Sequence, residues 1–320
     1  MLISVCVGTV RSETLPATIA AIERQDWADW ELILVPQGSD KELLRVCRLA
    51  ESAKVRTVHL ASKGLSRAKN AGASAARGDV IAYTDDDCEP RVDWLTTIAA
   101  AFRADAELDM VGGAVAAPPR RTLRFDTCPA IWPSESTYHP IEGRRGAPRG
   151  WDWIGANFAI RRAVFDRIGP FDESLGPGAV FPAGEDTDYK LRMEAAGLKM
   201  LTTSRAIVDH TYGARRGLRA RLGFSRSYAT GNGALAGKLA LANDPRAEEW
   251  VEYTRSRCIE PLKRGRIDKS LMALLRYKHF MHAYRQCLRE FAFDPASQSL
   301  VPRPQPQGTH LGSVPGCPPV

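Results

Sequence analysis

The sequence has no CxxC pair, and its seven cysteines are odd in number and widely scattered over 320 residues. This usage argues against a zinc site or a disulfide framework and indicates a reducing compartment. No run approaches the ~18 apolar residues that span a bilayer, and the opening MLISVCV lacks the basic region and the length of a signal peptide. We therefore expect a cytoplasmic protein whose opening residues form the first strand.

Glycine is also scarce after that strand. The segment VGTVRSETLP contains only Gly8, whereas a nicotinamide-binding fold needs GxGxxG at this point. A sugar-nucleotide pyrophosphorylase would place a glycine-rich basic loop there, and none is present. Both classes of enzyme are therefore disfavoured.

The composition is otherwise that of an ordinary soluble chain, with 44% hydrophobic and 25% charged residues and a formal charge of +7. The charge is uneven, because residues 211–294 hold 17 lysines and arginines against 8 acidic residues. Such a basic segment can contact anionic lipid headgroups, a phosphorylated ligand or nucleic acid, or it can be a set of solvated helix faces. We expect no nucleic acid partner.

Strand and helix patterns alternate along the first hundred residues. LISVCVG, WELILVP, KVRTVHL and DVIAYT predict strands, and the segments between them predict helices, of which the third is GLSRAKNAGASAARG. This alternation predicts an α/β fold with a mostly parallel central sheet and helices on both faces. DMVGGAVAA predicts a further strand, and KMLTTSRAIVDH predicts closing strand material.

Three changes in pattern predict the limits of the domains. Periodicity is lost over residues 117–150, where prolines, arginines and glycines predict a long surface loop. The α/β domain would span residues 1–212, and a basic, mainly helical extension would span 213–294. The proline- and glycine-rich residues 295–320 predict a disordered tail.

Three aspartates, Asp85, Asp86 and Asp87, follow the predicted strand DVIAYT directly. In open α/β sheets the carboxyl ends of the strands form the edge where ligands bind. Adjacent carboxylates repel one another unless a cation lies among them, and oxygen ligands suit Mg²⁺ or Mn²⁺. A solvated acidic turn is the simpler alternative for any isolated triplet.

Two other segments carry polar side chains suited to a nearby site. Arg67, Lys69 and Asn70, on the helix before the aspartates, offer groups that bind a nucleoside diphosphate, although an exposed amphipathic helix explains them as well. Glu185 and Asp186 begin the predicted helix EDTDYKLRMEAAG, where acidic residues are also favoured by capping. A carboxylate held there stays ionised and can accept a proton.

His210 and two residues of WDWIGANFAIRR complete the set of candidates. His210 ends a predicted strand, and becomes a metal ligand only if it joins the aspartates. Trp153 is a side chain of the kind that stacks on a sugar, and Asn157 offers an amide for its hydroxyls. We assign both to an acceptor pocket, with burial in the core as the alternative for Trp153.

Four segments in this order resemble family 2 of the inverting glycosyltransferases, which have the GT-A fold. They are ISVCVGTVRS, KGLSRAKNAGASAARGDVIAYTDDDC, GANFAIRRAVFDRIGPFDESL and GEDTDYKLRMEAAG, and the resemblance covers roughly residues 1–212. It implies a Rossmann-like sheet, a nucleotide-sugar donor, a hydroxyl acceptor such as a saccharide or lipid-linked saccharide, and Mn²⁺ or Mg²⁺. Peripheral contact with the anionic inner face of a membrane would follow from the basic extension.

The resemblance also implies roles for single residues. Asp85 and Asp86 would face the ribose and phosphates of the donor, and Asp87 would bind the metal with His210. Asp186 would be the general base. We further assign Thr9 to donor binding and Glu185 to acceptor binding.

The chain departs from the family pattern at two places. Gly8, Thr9, Val10 and Arg11 replace the usual Pro, Thr or Val, Tyr, Asn, and Pro36 and Gln37 replace the aspartate that reads the nucleobase. The base therefore stays open among uracil, guanine and thymine. A catalytically degenerate domain acting as a binding or scaffold module is the alternative function.

Overall fold

The computed structural model describes residues 1–118, 127–140, 147–263 and 267–304. The strands are β1 (Ile3–Thr9), β2 (Trp30–Pro36), β3 (Val55–Thr57), β4 (Val80–Thr84), β5 (Glu89–Pro90), β6 (Met110–Ala116), β7 (Ser136–Tyr138), β8 (Asn157–Arg161), β9 (Met200–Asp209), β10 (Phe291–Asp294) and β11 (Ser299–Pro302). The helices are α1 (Leu15–Glu23), α2 (Lys41–Ala50), α3 (Leu65–Ala75), α4 (Trp94–Ala104), α5 (Arg162–Ile168), α6 (Glu185–Ala195), α7 (Gly217–Leu241), α8 (Arg246–Lys263) and α9 (Ile267–Glu290).

The central sheet confirms the predicted α/β class. Its strand order is β3-β2-β1-β4-β8-β6-β9-β5, with β7 also paired to β9. β1 to β4 are mutually parallel, as are β6 and β9, whereas β8 is antiparallel to both of its neighbours. Because β1 and β4 are parallel neighbours and β9 runs with β6, polar residues that follow these strands are brought to one edge of the sheet.

Helices cover both faces of the sheet, as the alternating pattern predicts. One apolar cluster buries residues of α1, α2 and α4 against one face, and Trp94 and Leu95 of α4 are fully enclosed in it. A second cluster buries residues of α3, α5 and α6 against the other face, including Tyr189 and Met193 of α6. Both faces of the strands are thus in the core, which explains why β1, β2 and β4 read as continuous apolar runs.

The C-terminal helices share a core with the α/β domain. Leu175 and Phe181 lie in one apolar cluster with Leu235 of α7 and Cys287 of α9. α7 approaches α9 closely at Gly233, where an added Cβ would lie 2.1 Å from the carbonyl oxygen of Phe280. The division at residues 212 and 213 stays a prediction, but the extension is packed onto the domain. Along the described ranges, no helix combines the length and apolarity needed to cross a bilayer.

The predicted disordered tail is wrong for its first ten residues. β11 pairs antiparallel with β10, and Leu300 is buried in the cluster that the C-terminal helices share. The backbone N–H of Leu300 also donates to Asp172 at 2.8 Å. The alternation within FAFD and SLVP is too short to stand out beside the prolines that follow. Residues 305–320 lie outside the described residues, as do residues 119–126 and 141–146 of the predicted surface loop, within which β7 nevertheless forms.

Candidate active site

The acidic triplet lies just beyond β4, and its second member is fully paired. Asp86 is 2% exposed. One of its oxygens accepts from the hydroxyl of Thr9 at 2.8 Å and from the backbone N–H of Val10 at 3.0 Å. The other accepts from the guanidinium of Arg11, with Nε at 3.0 Å. Thr9 therefore supports a carboxylate of the site, and its own contact with a donor stays a prediction.

Asp87 lies between two cationic side chains. Its Oδ2 pairs with an amino nitrogen of Arg11 at 2.7 Å, and its Oδ1 lies 3.2 Å from Nε2 of His210. Burial opposes ionisation, but the hydrogen bond with His210 and the charges of His210 and Arg11 outweigh it and lower the pKa of Asp87 to about 2. The carboxylate is therefore ionised at neutral pH.

His210 is held in the orientation that a metal ligand requires. Its Nδ1 faces the carbonyl oxygen of Pro129 at 2.8 Å, so Nε2 is directed at Asp87. Asp87, Cys88 and His210 each place one ligand atom within 4.8 Å of the others. Burial raises the pKa of the Cys88 thiol well above its ordinary value, so it is a poor ligand. In the free chain His210 is the charged partner of Asp87, and the same imidazole, with Nδ1 held by Pro129, would offer Nε2 to Mn²⁺ or Mg²⁺ once it gives up its proton.

Asp85 differs from Asp86 and Asp87 because its side chain is only partly buried. Loss of hydration raises its pKa, and the charge of Asp87 acts in the same direction, while Lys69 opposes both. The triplet thus contains two carboxylates that are paired within the chain and one that has solvent access.

A second acidic group lies at the start of α6. The helix begins after Gly184, whose φ of 98° is the left-handed conformation that glycine adopts freely. Asp186 accepts from the backbone N–H of Gly155 at 3.0 Å and of Thr187 at 2.7 Å. The two backbone N–H groups fix the orientation of the carboxylate. Asp186 is partly exposed, as a group that meets a substrate must be.

Lys69 connects the two acidic groups. It is 4% exposed, and its ammonium lies 3.7 Å from Oε1 of Glu185. Burial, and next the charge of Asp186, raise the pKa of Glu185 to about 7, although Lys69 opposes this. Lys69 also opposes the rise in the pKa of Asp85, so its charge acts on both groups. Within the described part of the chain its nitrogen has no hydrogen-bond partner.

Two of the three candidate donor residues on α3, Arg67 and Asn70, are engaged elsewhere in the chain. Asn70 donates to the carbonyl oxygen of Phe171 at 2.9 Å and accepts from its N–H at 2.8 Å. Arg67 pairs with Glu173 at 2.9 Å on the surface. Both residues hold the segment that precedes α6 against α3. The assignment of Arg67 and Asn70 to donor binding stays a prediction, and their internal partners argue against it. Lys69 is better placed to act at the site.

The acceptor pocket predicted from Trp153 and Asn157 is wrong, because both are core residues. Trp153 is 1% exposed, and its ring lies 4.6 Å from that of Phe158. Asn157 is also 1% exposed and makes three internal hydrogen bonds: it donates to the carbonyl oxygens of Ala114 and Ala206 and accepts from Trp94. The amide satisfies carbonyl groups in the interiors of β6 and β9, beside an irregular step in the pairing of these strands.

Two residues of the site escaped sequence reasoning. Arg11 stands out in the sequence only as a departure from the family pattern, yet it pairs with two of the three aspartates. Tyr228 comes from α7, far along the chain. Tyr228 is 43% exposed, and loss of hydration, followed by the charges of Asp186 and Glu185, raises its pKa; one turn further on, Gly231 of α7 packs against Ala183, just before α6. No local signal marks Tyr228, because its position depends on how the extension packs.

The family model described as "Glycosyl transferase family 2" matches residues 4–169. A curated relative, the glucosyl-dolichyl phosphate glucuronosyltransferase of Haloferax volcanii, is 26% identical over 66% of this chain and 69% of its own length. The polypeptide N-acetylgalactosaminyltransferase 12 of Mus musculus is 26% identical over 78% of this chain but only 44% of its own. The chain thus spans less than half of that second relative.

Solved structures share the fold. The mannosyltransferase PcManGT of Pyrobaculum calidifontis, in complex with GDP-Man and Mn²⁺, has a TM-score of 0.56 at 14% identity over 90% of this chain and 87% of its own. Residues 1–349 of S. aureus TarS, in complex with UDP-GlcNAc, have a TM-score of 0.55 at 16% identity over 95% of this chain and 97% of that chain.

Proposed function

Because the chain belongs to glycosyl transferase family 2, we propose that it transfers a sugar from a nucleoside-diphosphate sugar to a hydroxyl group with inversion at the anomeric carbon. The observation that carries this proposal is the separation of two acidic groups, one after β4 with Asp86 and Asp87, the other at the start of α6 with Asp186. Lys69, whose charge acts on Asp85 and Glu185, supports placing both groups at one reaction centre.

A single displacement accounts for the two groups. The acceptor oxygen attacks the anomeric carbon and forms the new glycosidic bond while the bond from that carbon to the diphosphate oxygen breaks. Asp186 accepts the hydroxyl proton, and the nucleoside diphosphate leaves with the bonding electron pair. The backbone N–H groups of Gly155 and Thr187 hold the carboxylate in place for this role.

The residues around Asp87 fit a divalent cation, since a buried carboxylate and an oriented imidazole come together there. Asp87 and His210 would hold Mn²⁺ or Mg²⁺. Such an ion supplies a Lewis acid that neutralises charge on the leaving diphosphate. Asp85, which has solvent access, would face the donor's ribose and phosphates. Asp86, which is paired within the chain, would stabilise the site. The nucleobase stays open, because the structural neighbours carry either GDP-Man or UDP-GlcNAc.

A lipid-linked acceptor at a membrane surface fits the C-terminal helices. The first half of α7 exposes Leu218 and Leu222 beside Arg219, Arg221 and Arg226. Basic residues near an anionic bilayer contribute about 1 kcal/mol each, and exposed leucines can enter the headgroup region. The Haloferax volcanii relative is named for a dolichyl phosphate-linked glucose, which is the same class of acceptor. We infer a peripheral location on the cytoplasmic face.

Liposome sedimentation tests the membrane contact. The chain should sediment with anionic vesicles at low salt and not with neutral ones, and replacing Arg219, Arg221 and Arg226 together with Gln should abolish the difference. A matched triple change on another exposed face, at Arg45, Arg48 and Arg103, should leave it intact. Equal sedimentation with both vesicle types would contradict the proposal.

Nucleotide release tests the transfer reaction and separates it from a binding module. With a panel of UDP-, GDP- and TDP-sugars and Mn²⁺, the native chain should release nucleoside diphosphate when an acceptor is present. The Asp186→Asn change should lower kcat by about 10²- to 10⁴-fold, as expected for loss of a general base, and leave donor affinity nearly unchanged. Asp93→Asn, at an exposed position before α4, is the control. Donor binding without release in the native chain would indicate a binding module.

A further inference from the structure

Arg11 pairs with two of the aspartates, one of which, Asp87, would also hold the divalent cation with His210. Its guanidinium is bonded to Asp86 through Nε at 3.0 Å and to Asp87 through an amino nitrogen at 2.7 Å. We propose that Arg11 is a donor-binding residue that exchanges partners: it pairs with these carboxylates in the free chain and with the donor's diphosphate once a divalent cation has taken its place at Asp87. This inference rests on the proposed function for the identity of the donor.

The carboxylates need a positive charge at all times. Asp86 and Asp87 have side chains that are 3% and 1% exposed, and they are adjacent in the chain. Two neighbouring buried anions are costly unless they are paired. Arg11 supplies that charge in the free chain, whereas His210 contacts only Asp87. An arriving cation can therefore bind only by taking over a carboxylate that already has a partner.

Arg11 and a metal ion compete for the same group. Oδ2 of Asp87 lies 2.7 Å from the guanidinium, and Mg²⁺ would lie at about 2.0–2.1 Å from a carboxylate oxygen. Both ions are positive, so a guanidinium that remained in contact would be repelled by the metal. Arg11 lies on Oδ2 and His210 on Oδ1 of the same carboxylate, so an ion held by Asp87 and His210 would bring a second positive charge beside the guanidinium, and this repulsion displaces Arg11 from Asp87.

The displaced side chain can move without disturbing the backbone. The N–H of Val10 is fixed to Asp86 at 3.0 Å, so the main chain before Arg11 stays in place. The side chain of Arg11 is 33% exposed, which puts it at the rim of the cluster and not within the core. A diphosphate bound to the cation then offers oxygens in the geometry that a guanidinium binds bidentately. Cation and donor would consequently bind together more tightly than either does alone.

The test measures Mn²⁺ binding directly, by electron paramagnetic resonance of the free ion, with and without UDP, GDP or TDP. In Arg11→Gln, Mn²⁺ alone should bind at least about tenfold more tightly than in the native chain, equal to about 1.4 kcal/mol. With Mn²⁺ present, the same variant should bind the nucleotide about tenfold more weakly than the native chain does. Opposite changes in the two affinities are the signature of exchange. Arg11→Lys should have affinities between those of the native chain and Arg11→Gln, because lysine keeps the positive charge but lacks the planar guanidinium that binds two oxygens at once.

Arg56→Gln is the matched control. Arg56 is 29% exposed and pairs with Glu31 at 2.8 Å, on strands remote from the aspartates. It should leave both affinities unchanged. Thermal melting covers the case in which Arg11→Gln folds poorly: Mn²⁺ should raise the melting temperature of that variant more than that of the native chain, because the ion replaces a lost counter-charge.

Two results would overturn the exchange. One is an Mn²⁺ affinity without nucleotide that is the same in Arg11→Gln and the native chain. The other is nucleotide binding that depends on Arg11 but persists under chelator, which would make Arg11 a permanent substitute for the metal. If the exchange is observed but no sugar is transferred, the proposed function fails and the inference about Arg11 stands.

Discussion

Replacing Lys238 with Met should destabilise the chain and also reduce catalysis, although Lys238 lies in the C-terminal extension. Its ammonium lies 2.9 Å from Asp172 and 2.6 Å from Asp188, and all three side chains are at most 4% exposed. Asp188 is two residues after Asp186 on α6. The ion pair thus joins α7 to the helix whose first turn carries the candidate base.

The magnitude follows from the partners that the change would leave behind. Removing one member of a buried ion pair costs about 3–5 kcal/mol, because the other charge stays buried. Here Asp172 keeps the N–H of Leu300 at 2.8 Å and Asp188 keeps Arg192 at 3.0 Å, so the lower end of that range applies. At roughly 2–4 °C per kcal/mol, the melting temperature should fall by about 6–12 °C.

Calorimetry and nucleotide release measure the two effects. Arg255→Met removes a charge from the same extension, but its pair with Glu252 is exposed, so a change of at most about 1 kcal/mol is expected. Below its own melting transition, Lys238→Met should retain donor affinity and lose kcat, because α6 is less well positioned. A variant as stable and as active as the native chain would refute the view that the extension holds the base helix.

Three further predictions concern single residues of the site and core. Since burial and then the charge of Asp186 raise the pKa of Glu185 from 4.5 to about 7, its contribution to stability is complete below pH 4.5 and is lost as pH rises through 7. Glu185→Gln should remove this pH dependence, which amounts to up to about 3 kcal/mol in the free energy of unfolding at roughly 1.36 kcal/mol per pKa unit. A melting temperature that falls with pH as steeply in the variant as in the native chain would count against this prediction. Trp153→Ala should cost about 3–5 kcal/mol in denaturant titrations with normal kinetics in the folded fraction, whereas normal stability with a raised acceptor KM would return Trp153 to the acceptor pocket. Asp87→Ala and His210→Ala should each weaken Mn²⁺ binding by about tenfold or more, and full activity in chelator would show that the metal site is misassigned.

The sequence by itself determined the class of fold and the family. β1, β2 and β4 are continuous apolar runs because they are buried on both faces, and such runs can be recognised directly in the sequence. The aspartates after β4 and the acidic start of α6 can also be recognised in the sequence, since each is a local pattern next to a predicted strand or helix. The neighbouring strand or helix then predicts where such a short motif lies in the fold.

Only the tertiary structure decided which polar residues belong to the site. Asn157 and Trp153 look like ligand-binding residues in the sequence, but the carbonyl groups that bind Asn157 and the strand at Gly112 that covers Trp153 come from segments distant in the chain. Arg11 became part of the site for the same reason, and although the sequence placed Lys69 near the crevice, only the structure decided that Lys69 is buried beside Glu185. Burial and pairing are properties of non-local contacts, which a linear pattern of residue types does not contain.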